Sequence, residues 1–259
     1  MFGNIKELIK FRTLFYALVK RHLVMRYRGS VLGFMWSFLN PLLLMLVYTL
    51  VFRYYIRFND VQNYTIFVFC GLLPWIWFTS SLSEGTSSIV SSGHLITKSM
   101  FPAHLLPTVA VVTNMIHYVL SLPLLFIFMI FMGVPFHSSL LLLPFVILTQ
   151  FFLMLGVVLA LSSLNVFFRD VQHLLGNFLT FLFFLCPVLY PLSSVPEKFR
   201  FTMEYNPIAL ITIFYHQVII EGVVPGIKPI AFVLASVIGM FFIGNLIYNR
   251  YRESFAECI

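Results

Sequence analysis

Three ionisable side chains, Arg26, Arg28 and Glu84, sit where a mostly apolar sequence makes charge costly. Arg26 and Arg28 close a basic run at the point where an uninterrupted apolar run opens, in R-Y-R-G-S-V-L-G-F-M-W-S-F-L-N-P from Arg26 to Pro41. Glu84 follows the apolar stretch W-I-W-F-T-S-S-L-S. An ionisable group at membrane depth is a functional position by default. Its other reading is a helix that continues past the membrane boundary and leaves Glu84 among Ser and Thr in a wet cavity. Both readings stay open at this point.

Other arrangements that could do chemistry are missing from the sequence. With only two aspartates, Asp60 and Asp170, there is no Asp-x-Asp metal pair, and no histidine has an aspartate five positions later. There is no His-Glu-x-x-His zinc helix and no Gly-x-Ser-x-Gly nucleophile elbow. The nearest approach to a nucleotide-binding loop is Gly239-x4-Gly244, followed by Asn245 where Lys is required, which reads as helix packing. Cys70, Cys186 and Cys258 lack metal-ligand spacing and read as apolar fillers. The expectation is a chain with no catalytic residues, no metal site and no cofactor of its own.

The elements that must position these residues are membrane helices. The chain has 259 residues, 60% hydrophobic and 10% charged, against about a quarter charged in soluble domains. Six stretches are long and apolar enough to span, at 31–52, 65–83, 107–132, 140–168, 174–192 and 230–248. The first has 22 residues without a charge, enough at about 1.5 Å per residue to cross a hydrocarbon core of about 30 Å. It starts too late and runs too long for a signal peptide, and it lacks a small-residue cleavage site. Seven of the 16 basic residues precede position 30, which places the N-terminus in the cytoplasm. An even number of spans returns the C-terminus to the same side. Lys98, Arg169, Arg250 and Arg252 join the inside set, against Arg53, Arg57, Lys198, Arg200 and Lys228 outside. The net charge of +7 therefore reads as topology and contact with anionic lipid, not nucleic-acid binding.

Two further elements frame the spans. Wound as a helix, residues 4–23 put Ile5, Leu8, Ile9, Phe15, Tyr16, Val19 and Leu23 on one face and Lys6, Lys10, Lys20 and Arg21 on the other, with Arg12 intruding on the apolar face. This predicts an amphipathic interface helix or a helix packed on a partner. Between spans five and six, 193–229 is predicted to hold short outer helices, re-entrant or interfacial, with Asn206-Pro207 starting one of them. Gly29-x3-Gly33 could permit close helix contact. Phe, Tyr and Trp make up 18% of the chain, either as packing or as a conduit whose rings contact sugars. No convincing internal repeat appears, which weakens an inverted-repeat transporter.

Several blocks in series resemble the membrane subunit of ABC-2-type polysaccharide exporters. They are Arg26-Tyr27-Arg28-x-Ser30-x-Leu32-Gly33-x-x-Trp36 through Asn40-Pro41, then Leu95-Ile96-x-Lys98-x-x-Phe101-Pro102 with Leu105-Leu106-Pro107. Asn165-Val166-Phe167-Phe168-Arg169-Asp170-Val171, Pro187-Val188-Leu189-Tyr190-Pro191 and Asn206-Pro207 complete the series. The resemblance implies two copies forming a channel, each docked to a cytoplasmic nucleotide-binding ATPase subunit that carries the ATP and Mg, in a bacterial inner membrane. It implies ATPase contact at Lys98, Ser99, Met100, Phe101 and Pro102, with Arg169 and Asp170 in the other cytoplasmic loop serving either as partner contact or as an ion pair at a helix end. It also implies an undecaprenyl-pyrophosphate-linked glycan as substrate, O-antigen before capsule or teichoic acid. Arg26 and Arg28 then become candidates for receiving the pyrophosphate, because guanidinium offers bidentate donors. Their alternative role is anionic-lipid contact. The competing classes are an ion-coupled secondary transporter using Glu84, and an integral-membrane transferase acting on lipid-linked sugars.

Overall fold

The structure, a computed structural model, describes residues 10–57, 61–98 and 101–258. It is all helix, with no strand among the described residues. Helix α1 spans Arg12–Tyr27; α2, Trp36–Thr49, is entered by a 3-10 turn at Gly33–Met35 and prolonged by a π turn at Leu50–Tyr55. Then follow α3 Tyr64–Ser91, α4 Gly93–Lys98, α5 Leu105–Phe131 and α6 Leu143–Phe167. The chain ends with α7 Asp170–Leu185, α8 Glu197–Glu204, α9 Pro207–His216, α10 Ile227–Tyr251 and α11 Phe255–Cys258. Among the described residues five stretches, Gly33–Tyr55, Tyr64–Ser91, Leu105–Phe131, Ser138–Phe167 and Ile227–Ser254, are long and apolar enough to cross a membrane. Residues 4–9 of the expected interface helix, Asp60, Ser99 and Met100 lie outside the described residues, as does the side chain of Lys98.

Helix α3 is the axis of the bundle. It is apolar on all sides over most of its length, and α2, α5, α6, α7 and α9 pack around it. Helices α6 and α10 meet backbone to backbone. A Cβ on Gly156 would lie 2.6 Å from the Met240 carbonyl carbon, and one on Gly244 would strike the Gly156 carbonyl oxygen. Small residues allow this approach, which is how helices associate where apolar burial gives no preference between protein and lipid. Gly244 thus has the packing role expected of it, whereas Gly239 faces open space. Gly29 and Gly33 do not mediate a helix contact. They carry φ +81° and +48° with nothing near a Cβ, so they form the turn between α1 and α2.

The fifth stretch departs from the continuous segment expected at 174–192. Helix α7 starts at Asp170 and stops after Leu185, because Pro187 has no N–H and forces the preceding Cys186 into extended geometry (φ −99°, ψ 144°). Sixteen residues rise only about 24 Å. The chain nonetheless runs the length of the bundle: the Leu189 carbonyl accepts a 2.7 Å hydrogen bond from the Tyr64 hydroxyl, at the start of α3. The Tyr190 hydroxyl donates to the Phe184 carbonyl at 2.5 Å, satisfying a group left bare at the helix end.

The segment after it forms the expected short helices, and they fold inward. Asn206 Oδ1 accepts from Ile208 N at 3.0 Å and Ala209 N at 3.4 Å, with Pro207 as the first helical residue. From that point α9 runs back toward the start of α3, where His216 stacks on Phe67 at 4.0 Å. Ala209, Leu210, Ile211, Phe214 and Tyr215 are all buried. We predict that Asn206→Ala lowers stability by about 1 kcal/mol through loss of the cap. The check is the thermal midpoint of the detergent-solubilised protein; an unchanged midpoint would remove the cap from the account.

Helix α1 packs on α5. Its inward stripe is Phe15, Leu18, Val19 and His22, leading to Arg26 at helical spacing, while Tyr16 is 69% exposed and Arg12 points outward. The expected apolar face is therefore rotated. Tyr16 leaves it, and the stripe gains the polar residues His22 and Arg26.

Candidate functional site

Two structural facts carry Glu84 to its place. Helix α3 continues to Ser91, past the end of the apolar stretch, with Ser87 and Ser88 returning their hydroxyls to the Ser83, Glu84 and Gly85 carbonyls. Such bonds let serines sit on a helix without leaving their hydroxyls unsatisfied. One position on, Gly85 fits tightly against the Val158 side chain of α6, which sets the rotation of α3 that leaves Glu84 facing α1 and α5.

There Glu84 meets Arg26 and Asn114. Arg26 Nη1 lies 3.4 Å from Glu84 Oε1 and donates at 2.8 Å to Asn114 Oδ1. Asn114 Nδ2 donates at 2.8 Å to Glu84 Oε2 and at 3.0 Å to the Ala110 carbonyl of its own helix. The amide is buried, while the two charged side chains are each 33% exposed. Three elements are tied at one point. The helix does continue past the apolar stretch, the carboxylate lines a polar cavity, and it is engaged with the Arg26 cation.

A cavity of about 270 Å³ lies on one side of this junction, bounded by Arg26, Tyr27, Trp36, Ser37, Asn40, Ser80, Asn114, His117 and Ser121. On the other side lies one of about 320 Å³, bounded by Arg21, His22, Glu84, Ser87, Ser88, Ser91 and His94. The Tyr27 hydroxyl hydrogen-bonds to Ser37, and Ser37 Oγ is 3.2 Å from His117 Nδ1. The Tyr27 ring meets His117 edge-on at 5.6 Å. These contacts pin the end of α1 to the start of α2 and to α5, across the glycine turn. What the arrangement offers chemically is the Arg26 guanidinium at the edge of a polar cavity lined by Ser37, Ser80, His117 and Ser121.

Arg26 and Arg28 part company. Arg26 is drawn into the junction, whereas Arg28 is exposed beyond the end of α1 and does not border the cavity. Asn114 and His117 were not singled out from sequence. The available signal was the polar series Asn114, His117, Ser121 along one face of an otherwise apolar helix. Arg169 and Asp170 are exposed at the start of α7, and among the described residues no ion pair joins them. Phe101 and Pro102 are half-buried just before α5. Phe167, beside Arg169, packs on Phe255 of α11, and α11 contacts α4, so all these residues occupy the same end of the bundle. Among the described residues, no cluster of three or more His, Cys, Asp or Glu could hold a metal.

An all-helical scaffold with membrane-length helices and a polar junction at one end of the bundle defines a multi-pass membrane protein. The profile of the ABC-2 type transporter family matches residues 13–220, and the chain belongs to that family. Among its relatives is the O-antigen export system permease protein RfbA of Myxococcus xanthus, 41% identical over the full length of both chains. An O-antigen export system permease protein RfbA of Klebsiella pneumoniae is 30% identical over 93% of each chain. The polysialic acid transport protein KpsM of Escherichia coli is 21% identical over 92% of this chain and 93% of its own.

Proposed function

We propose that this chain is the channel-forming membrane subunit of an ATP-driven exporter that moves undecaprenyl-pyrophosphate-linked polysaccharide, O-antigen foremost, across a bacterial inner membrane. The observation that carries the reading is the end-to-end 41% identity with a permease of an O-antigen export system. Family membership supports a separate ATPase subunit, with ATP and Mg bound there, docked around Lys98–Pro102 and Arg169–Asp170 on the cytoplasmic side. In this reading two copies meet, with the exposed face shared by α2 and α7 as the seam. Tyr48 and Phe183 bring these helices together at 5.6 Å, and Leu46, Val47, Phe178, Phe181 and Phe184 are each more than half exposed. A second copy across that face would enclose aromatic rings suited to the apolar faces of sugars.

Of the two arginines, Arg26 is the pyrophosphate contact, because it borders a polar cavity. Arg28 is assigned to the membrane surface. The test is a strain lacking this chain, complemented with it and scored for surface polysaccharide. Export is expected to require both the chain and an intact nucleotide-binding loop in a co-purifying ATPase. Export that survives loss of that ATPase function but collapses with the proton gradient would select the ion-coupled transporter instead. Glycosyl transfer by the purified chain alone would select the transferase.

A further inference from the structure

Glu84 already occupies part of the cation that an anionic head group needs. Its carboxylate engages Nη1 of Arg26 at 3.4 Å, with Asn114 bonded to both partners at 2.8 Å. Among the described residues, Nε and Nη2 of Arg26 have no hydrogen-bond partner, so the carboxylate holds only one corner of the guanidinium fork. With both charged side chains one-third exposed, water screens the pair and keeps it weak. A phosphoryl group brings more charge and a geometry matched to two parallel N–H donors. The junction also lies between the two polar cavities: Arg26 and Asn114 border one, Glu84 the other.

We propose that Glu84 is an internal competitor for the Arg26 anion site. Its carboxylate ties α1, α3 and α5 together until a phosphoryl-bearing head group takes Arg26, which frees Glu84 and joins the two cavities. Glu84 thereby sets which ligands open the junction, since a neutral or weakly charged group cannot displace it. This rests on the reading of Arg26 as the head-group contact.

The experiment titrates inorganic pyrophosphate into the full-length chain, reconstituted in phosphatidylcholine nanodiscs, by calorimetry. Glu84→Gln keeps the side-chain volume and an acceptor for Asn114 but removes the charge. It is expected to bind about fivefold tighter than the natural protein, the scale of one screened ion pair. Glu84→Asp, which draws the charge back by one methylene, should fall between the two and reads the same competition if the Gln variant is unstable. Equal affinity in all three, with Arg26→Gln weakening binding, overturns the competition while leaving the head-group contact standing. If Arg26→Gln does not weaken binding in the Glu84→Gln background, the head-group contact itself fails. Membrane phosphates are separated from a substrate head group by adding phosphatidylglycerol to the disc. Persistence of the Glu84→Gln gain supports the proposal, and its loss assigns the site to bulk lipid and overturns it.

Discussion

Arg26→Gln is expected to cut surface polysaccharide about tenfold or more, while Arg28→Gln leaves it near normal. The magnitude follows from losing hydrogen bonds to a charged group, each worth about 1.5–3 kcal/mol. The contrast follows from position. Arg26 lies at the meeting point of α1, α3 and α5 beside a cavity, and Arg28 is exposed outside it. A structural role for Arg26 has a different signature. If the arginine only tied helices together, Arg26→Gln would lower the amount of protein in the membrane and its thermal midpoint in step with export. Lost export at normal abundance supports the binding role, and Arg26→Lys, which keeps the charge without the planar fork, should recover it only in part. Equal loss in the Arg26 and Arg28 variants would sink the assignment of the site to the cavity beside Arg26.

Gly156→Val should have the largest effect on the fold. At this point α6 and α10 touch through their backbones, and even a Cβ would sit 2.6 Å from the Met240 carbonyl carbon and the Phe241 nitrogen. No flexible side chain can yield there. The helices must separate or shift in register, at a cost of about 3 kcal/mol, the upper end of overpacking. Because α10 packs along α6 through most of its length, the protein is expected to lose its monodisperse elution peak and fall sharply in membrane abundance. Gly239→Val, on α10 next to Met240 but facing open space, is the control and should be neutral. A Gly156→Val protein with a normal thermal midpoint would mean that the two helices can slide apart freely.

Spans one to four and six were legible because apolar length is a local property. A run such as Val31–Phe52 has no partner to find before its cost in water is fixed, so its place in a membrane helix follows from composition. Asn206-Pro207 was equally legible: its cap needs only the next three residues. The fifth segment was misread at its end, where Pro187 interrupts the hydrogen-bond ladder. Here the stop is written in the sequence, but the way the chain is held beyond it is not. The Leu189 bond to Tyr64 joins residues 125 positions apart. In α1 the period was visible but the phase was not, since Tyr16 and Arg26 are placed by the surface of α5 and not by their neighbours in the chain.

The sequence by itself determined that this is a multi-helix membrane chain with a basic N-terminal stretch, and it marked Arg26, Arg28 and Glu84 as the charges to watch. Periodicity and charge asymmetry act residue by residue, so they survive without coordinates. Only the tertiary structure decided that Arg26 and Glu84 face each other, that Asn114 bridges them, and that Arg28 does not take part. Each of those outcomes depends on how helices rotate and close on one another. Gly85 against Val158 turns one face of α3, and the Gly29 turn brings the end of α1 back onto α5. A pair 58 positions apart in sequence becomes a contact of 3.4 Å because packing of apolar faces elsewhere leaves it no other place.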